Sequence, residues 1–425
     1  MRWRPCGLSH GVEAASICRG KPMGFGKLAI AVVLAVLPAA AGSVKTGLDN
    51  IGEHKQLLNG QRIGIITNHT AHNSRGQYIV DVFRNIGSVR LTALFSPEHG
   101  IYGAQEAGET IEGQKDTRYN LPVYSLYGKT NKPTAAMLKN IDILVFDIQD
   151  IGARFYTYIS TMSLAMEAAA ECGKRFVVLD RPNPINGLKV EGNILEPEFA
   201  SFVGMYPIPA RHGMTVAELA KMFNQQGWLK NGIKADLVVV PMKGWRRRMW
   251  YDQTGLIFIK PSPNMTDLQT AAVYPGLCLL EGTNVSEGRG TDMPFRQFGA
   301  PWIDAKKLAM RLNRLNLPGL RFAPTGFTPT SSKYQGQKCH GVKMIITDRE
   351  LLEAYYSGIM IVNELFQMYP ERFRWRTRHF DRLCGTSAVR EAVTSRSSIE
   401  KLRKDWQPEL KSFLAIGKKY LMYPD

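Results

Sequence analysis

Four short polar clusters hold most of the side chains in this chain that can do chemistry. They are Asn68-His69-Thr70, Pro97-Glu98-His99-Gly100, the group Asp147, Gln149, Asp150 and Arg154, and Asp180-Arg181-Pro182-Asn183-Pro184. Each follows a short apolar run. A single cluster of this kind is ordinary turn chemistry, because Asn, Asp, Gly and Pro build turns. Four in succession, each rich in ionisable or amide groups, point to a shared site. Paired carboxyls suit glycosidic cleavage, in which an acid protonates the leaving oxygen and a second carboxylate usually assists. A fifth cluster runs from Glu281 to Thr291 and includes Asn284, Glu287 and Arg289. It is too polar and glycine-rich for core. Apolar Leu277–Leu280 anchors it on one side and Pro294-Phe295 on the other, as suits a held loop that recognises a polyol. Arg289 can grip a carboxylate with two parallel bonds.

Other chemistries lack their signatures. Gly128-Lys129-Thr130 resembles the end of a P-loop, but Val123 stands where the leading glycine belongs. No G-x-G-x-x-G follows a strand, so no dinucleotide is called for. Gly7-Leu8-Ser9-His10-Gly11 matches a nucleophile elbow but falls in the leader. His69 and His72 follow a strand in a turn, a poor setting for a metal pair. The sequence requires no metal and no cofactor.

The elements that must position these clusters are legible as periodicities. Arg62–Thr67, Val89–Phe95, Ile141–Phe146, Phe176–Leu179 and Ala235–Val240 read as strands. Gln77–Ile86, Ala135–Asn140, Tyr158–Cys172 and Thr215–Gln226 read as helices between them, the last opened by a Thr215/Glu218 capping box. Strand and helix in alternation predict an α/β fold with a Rossmann-like, doubly wound parallel sheet, and ligands bind such sheets outside the carboxyl ends of the strands. Further on, Asp304–Leu315, Leu351–Met368, Ile399–Trp406 and Pro408–Phe413 read as helices and Gly341–Thr347 as a strand, predicting a smaller α/β domain. The expected boundaries are 44–262 for the first domain and 263–425 for the auxiliary one.

The 425 residues are 44% hydrophobic and 21% charged, an ordinary globular composition. Leu28–Leu37 is an apolar run between Lys27 and Pro38-Ala39-Ala40-Ala41. That order predicts a secretory signal over 1–41, cleaved after Ala41, with Met23 as an alternative start. No later run is long enough to span a bilayer, so a periplasmic or secreted protein is expected, with no stable membrane insertion after cleavage. The net charge is +17; five basic residues against Glu13 in the first 41 contribute +4 and leave +13. A basic surface attracts polyanions. Without a nucleic-acid-binding signature, acidic wall polymers are the expected partners and nucleic acid is not. Cys172, Cys278, Cys339 and Cys384 are scattered, with no C-x-x-C. One disulfide or four separate buried thiols both fit.

The motifs together resemble the exo-β-N-acetylmuramidase family. The resemblance is carried by Phe95-Ser96-Pro97-Glu98-His99-Gly100, the segment Phe146–Tyr158, Asp180–Pro184, Glu281-Gly282-Thr283-Asn284 with Ser286–Thr291, and Phe327-Thr328-Pro329, and it runs from about Gly47 to the C-terminus. It implies a Rossmann-like catalytic domain, a smaller auxiliary domain, a site in the cleft between them, and removal of a terminal non-reducing β-linked N-acetylmuramic acid from peptidoglycan fragments. The roles are argued from chemistry. Glu98 is the expected general acid. Asp147 or Asp150 is the expected second carboxylate, with Glu281 and Glu287 as alternatives. The sugar's own acetamido group is a further option, with an aspartate orienting it. Arg154, Arg181 and Arg289 are candidates for the lactyl carboxylate, and Tyr156 and Tyr158 for stacking on the sugar. Asn68, His99, Asp180, Asn183 and Asn284 complete the expected substrate contacts. A non-catalytic exported protein that binds peptidoglycan fragments is the alternative, and a metal-dependent hydrolase ranks third. The oligomeric state is left open.

Overall fold

Five of the apolar runs fold into one sheet, four as interior strands and the last at its edge. In the computed structural model, which describes residues 43–105 and 114–425, the strands are β1 (Arg62–Thr67), β2 (Arg90–Ser96), β3 (Gln114–Asp116), β4 (Leu121–Ser125), β5 (Ile143–Asp147), β6 (Arg175–Leu179), β7 (Glu191–Ile194), β8 (Pro209–Arg211), β9 (Asp236–Val240), β10 (Gln297–Ala300), β11 (Leu320–Phe327) and β12 (Cys339–Ile346). Seven form one sheet in the order β3-β4-β2-β1-β5-β6-β9, and only β3 runs antiparallel. The chain steps outward from β1 on one side and returns to pair β5 on its other side. This is the reversal of strand order that opens a crevice in doubly wound sheets. Every residue of β5 is buried, as expected of a strand covered on both faces.

Helices cover the sheet. The Tyr158–Glu171 helix and the Val216–Gln225 helix pack on one side. In the latter, Thr215 accepts from Glu218 N at 3.3 Å while the Glu218 carboxylate accepts from Thr215 N at 3.0 Å, so the predicted capping box is formed. A separate three-stranded antiparallel sheet, β10-β12-β11, is drawn wholly from residues after 263. The amphipathic Ala305–Arg314 helix packs on it. The seven-stranded sheet is drawn wholly from residues before 263.

One apolar core runs through both parts, from Phe146 and Met166 to Val342, Ile359 and Phe380. Within the second part the Leu268–Leu277 and Ala354–Met368 helices approach closely, where Gly276 and Gly358 face each other. A Cβ on Gly276 would strike the Ala354 carbonyl, so glycine there is a packing requirement.

Both ends of the described fold dock on one segment. Val44 N donates to Thr254 O, and Lys45 and Lys243 exchange backbone hydrogen bonds, all at 2.9 Å. Arg247 N donates to Pro424 O at 2.9 Å, and Tyr423 packs edge-on against Trp245. Val44, Met242 and Trp245 form a small core of their own there.

The predicted signal at 1–41 lies outside the described residues. Among the described residues no helix is long and apolar enough to cross a membrane. Cys172, Cys278, Cys339 and Cys384 are free thiols.

Candidate active site

The loop after β2 turns sharply at His99 (φ 70°) and Gly100 (φ 75°). A left-handed non-glycine residue is uncommon and clusters at functional sites. The turn presents Glu98, partly exposed, to a cavity of about 260 Å³. Thr157, at the N-terminal end of the Tyr158–Glu171 helix, donates its hydroxyl to Glu98 Oε2 at 2.7 Å. Tyr127, beyond β4, also hydrogen-bonds Glu98; burial first, and then the Glu98 charge, raise that phenol well above its usual range. His99 lines the same cavity, with Nδ1 2.7 Å from Gln105 O.

Aromatic rings make the opposite wall. Tyr158 meets Tyr156 edge-on at 4.9 Å, Tyr156 meets Tyr274 at 5.8 Å, and Tyr274 meets Phe295 at 4.9 Å. Phe295 holds a positive φ of 60°, a marked outlier for a bulky side chain. The Tyr158 hydroxyl donates to Pro261 O at 2.6 Å. The Tyr156 hydroxyl is buried beside Ser262, and burial raises it strongly, so it stays a protonated donor.

The 281–291 loop closes the cavity with charge. Arg289 stacks on the Phe295 ring at 5.0 Å and pairs with Glu281 at 2.7 Å and Glu287 at 3.3 Å. His379 Nε2 lies 3.6 Å from Glu281. Burial works to raise the Glu281 carboxyl, but Arg289 and His379 outweigh it and hold the group at about 2. Arg289 is raised in turn, its two glutamates overcoming the penalty of burial. Among the described residues, Glu98 and Glu281 are the carboxyls that line this cavity, and Glu281 is ionised at neutral pH.

Several expected site residues are placed elsewhere. Asp147, expected to be catalytic, is fully buried and bound by two bonds to Arg181, with Nη2 to Oδ2 at 3.1 Å. Arg181 also donates to His72 O, and neither residue lines the cavity. Asp150 is buried, accepts from Gly152 N at 2.7 Å and lies 3.7 Å from His212; its charge reaches the Tyr156 hydroxyl, but its carboxylate is off the wall. Arg154, expected to hold the lactyl carboxylate, donates to the carbonyls of Asn193, Ile208, Leu383 and Cys384. It is a buried strut between the two parts. Asp180 accepts from Thr215, Ala217 N and Tyr423, at the start of the Val216–Gln225 helix. Asn68 accepts from Thr70 and donates to Tyr158. Asn183 is held between Ile185 N and Met214 O. Asn284 spans Arg372 O and Arg374 N. Glu287 faces away from this cavity, toward Lys333 at 2.9 Å. Tyr127, Thr157, Phe202 and His379 line the cavity beyond the expected site residues, as do Ser262 and Asn264 of the polar Pro261–Met265 stretch. Thr157 stands within the Phe146–Tyr158 segment already noted; His379 directly follows the basic stretch Arg372–Arg378.

A parallel sheet that delivers a carboxyl to a small aromatic-walled cavity, faced by a second ionised carboxylate, has the layout of a glycoside hydrolase. Residues 63–269 match the N-terminal family model of the exo-β-N-acetylmuramidase NamZ, and residues 272–423 match its C-terminal model. The chain belongs to this exo-β-N-acetylmuramidase family. It is 49% identical, over 89% of its length and 91% of the relative's, to the peptidoglycan β-N-acetylmuramidase NamZ of Bacillus subtilis (strain 168). Two crystal structures of DUF1343 family proteins from Bacteroides fragilis share the fold. One aligns at a TM-score of 0.83 and 41% identity, covering 91% of this chain and 100% of that one. The other aligns at 0.72 and 33%, covering 90% and 99%.

Proposed function

We propose that this chain is an exo-acting peptidoglycan β-N-acetylmuramidase that releases a terminal, non-reducing β-linked N-acetylmuramic acid from wall fragments. The observation that carries this reading is the meeting of Glu98 and Glu281 on one aromatic-walled cavity. Glu98, positioned by Thr157 and Tyr127, protonates the glycosidic oxygen as the bond breaks. Glu281, kept ionised by Arg289 and His379, faces the positive charge that develops on the sugar ring. Tyr156, Tyr158 and Tyr274, packed edge-on to one another, supply the aromatic wall beside which the sugar sits. A cavity of about 260 Å³ is small for a ligand site, usually ~300–1,000 Å³. That volume suits one substituted sugar ring, as exo action requires. The 49% identity to a named peptidoglycan β-N-acetylmuramidase supports the same substrate class.

The leader supports export, with the enzyme acting in the periplasm or outside the cell. N-terminal sequencing of protein recovered from the producing cells tests this, with Gly42 expected as the first residue. The activity is tested with a chromogenic β-N-acetylmuraminide. Aglycone release is expected, with the matching N-acetylglucosaminide a poor substrate. A folded protein that binds the muraminide and releases nothing would establish the non-catalytic alternative instead.

A further inference from the structure

A second cavity, of about 330 Å³, adjoins the first. It shares Glu281, Arg289 and His379 with the catalytic pocket and adds Glu287, Lys333 and Arg376. The charges in it are not all committed to one another. Lys333 has three N–H donors, and all three are in use, on Leu280 O at 2.8 Å, Val285 O at 2.9 Å and Glu287 at 2.9 Å. Arg289 is divided between Glu281 and Glu287. Two carboxylates are thus neutralised by two cations. Arg376 remains. Its backbone N–H donates to Gly282 O at 2.8 Å, which fixes the residue beside the 281–291 loop. Its guanidinium makes no hydrogen bond or ion pair among the described residues. The cavity therefore carries one surplus positive charge, presented by an exposed five-donor fork.

The opposite rim is built to keep its shape. Thr330 gives both its N–H and its hydroxyl to Gly290 O, at 2.8 and 2.9 Å, pinning the 328–337 turn to the 281–291 loop. Ser332, on this rim, holds a left-handed φ of 66°, and strain of this kind persists where the surroundings dictate it. The Ser331 and Ser332 hydroxyls give the rim further donors.

We propose that this cavity is an anion-binding annex of the catalytic pocket, and that Arg376 binds there the carboxylate of the lactyl ether on the terminal sugar. The inference rests on the proposed function, because it assigns a place to the group that distinguishes N-acetylmuramic acid from N-acetylglucosamine. A planar guanidinium matches a carboxylate bidentately, and neither Arg154 nor Arg181 is free to do so. Arg376 is a positioning and specificity residue; it takes no part in bond cleavage.

The test is equilibrium binding of free N-acetylmuramic acid and free N-acetylglucosamine to the full chain, as wild type, Arg376→Gln and Arg376→Lys. The wild type is expected to prefer N-acetylmuramic acid. Arg376→Gln is expected to weaken that sugar alone, by about 10- to 100-fold, the scale of a charge-assisted hydrogen bond. Arg376→Lys should keep part of the preference. Because Arg376 is exposed and its structural bond is to the backbone, the variants should fold. A wild type without preference, or an Arg376→Gln chain that binds both sugars as the wild type does, would overturn the proposal. The chromogenic assay reports on the hydrolase reading separately. A chain that shows this preference but releases no aglycone keeps the annex and loses the enzyme.

Discussion

The Thr157 hydroxyl donates to Glu98 Oε2 at 2.7 Å, joining the turn after β2 to the start of the helix that follows β5. Two segments 59 residues apart in sequence thereby fix one carboxyl. The bond selects one orientation for a side chain that would otherwise sample several rotamers.

Removing the carboxyl while keeping its shape isolates its chemistry. Glu98→Gln should lose about 10²–10⁴-fold in kcat, the range for general acid catalysis, with little change in thermal unfolding or sugar binding. Near-normal turnover by the folded variant would exclude Glu98 as the acid.

Removing the supports tests positioning. Thr157→Val and Tyr127→Phe each delete one hydrogen bond to Glu98. Each is expected to lower kcat about tenfold, as a bond to a charged group allows, with KM nearly unchanged. If steady-state kinetics show both variants matching the wild type, Glu98 does not depend on them.

Glu281 makes a prediction about acid stability. Its folded pKa, about 2, lies below the ordinary glutamate value of 4.5. The unfolded chain therefore takes up a proton first as pH falls. The stabilisation is complete above about pH 4.5 and is lost as pH drops toward 2. Glu281→Gln should flatten that limb of a Tm-against-pH curve. Arg289→Met, which removes one cation shared by two largely buried carboxylates and leaves Glu287 to Lys333 and Glu281 to His379, should cost about 3 kcal/mol at neutral pH. Denaturant titrations that leave Arg289→Met within 1 kcal/mol of wild type, on the order of a surface pair, would refute the pairing.

Asp180 predicts the opposite slope. Burial raises its carboxyl to about 7, against the bonds from Tyr423, Ala217 and Thr215 that favour the ion. The folded chain here holds its proton longer than the unfolded chain. The contribution is complete below about pH 4 and is lost as pH rises through about 7. Asp180→Asn, which still accepts from Ala217 N, should show a smaller fall in Tm between pH 5 and 8 than the wild type. Parallel curves for the two proteins would contradict this.

The sequence carried the sheet more fully than the site. β1, β5 and β6 are apolar runs buried almost throughout, β2 and β9 are apolar over most of their length, and the Thr215/Glu218 box announces its helix. The Leu268–Leu277 helix was hidden because Pro275-Gly276 reads as a turn, and only the facing Gly358 explains why glycine belongs there. β11 contains Pro324 and Gly326, which mask its alternation. Asp147 ends β5 and Asp180 directly follows β6, and both are buried and bond inward, as Asn183 does farther along its loop. Glu98, at the left-handed turn after β2, and Tyr156 reach the cavity. His379, Lys333 and Arg376 carry no local signal. The folding of the second part, which brings residues 331–333 and 376–379 to the 281–291 loop, gives them a role.

The segment around Met242–Thr254 receives both ends of the described fold, Val44 and Lys45 from one direction and Tyr423 and Pro424 from the other. The backbone is in effect a ring closed by hydrogen bonds and one small apolar cluster. Joining the ends with a short linker would therefore add little closure entropy, and new termini opened in an exposed loop far from the cavity should be tolerated. Conversely, a residue trimmed from either end slackens the anchorage of the other, so the two extremities share one stability.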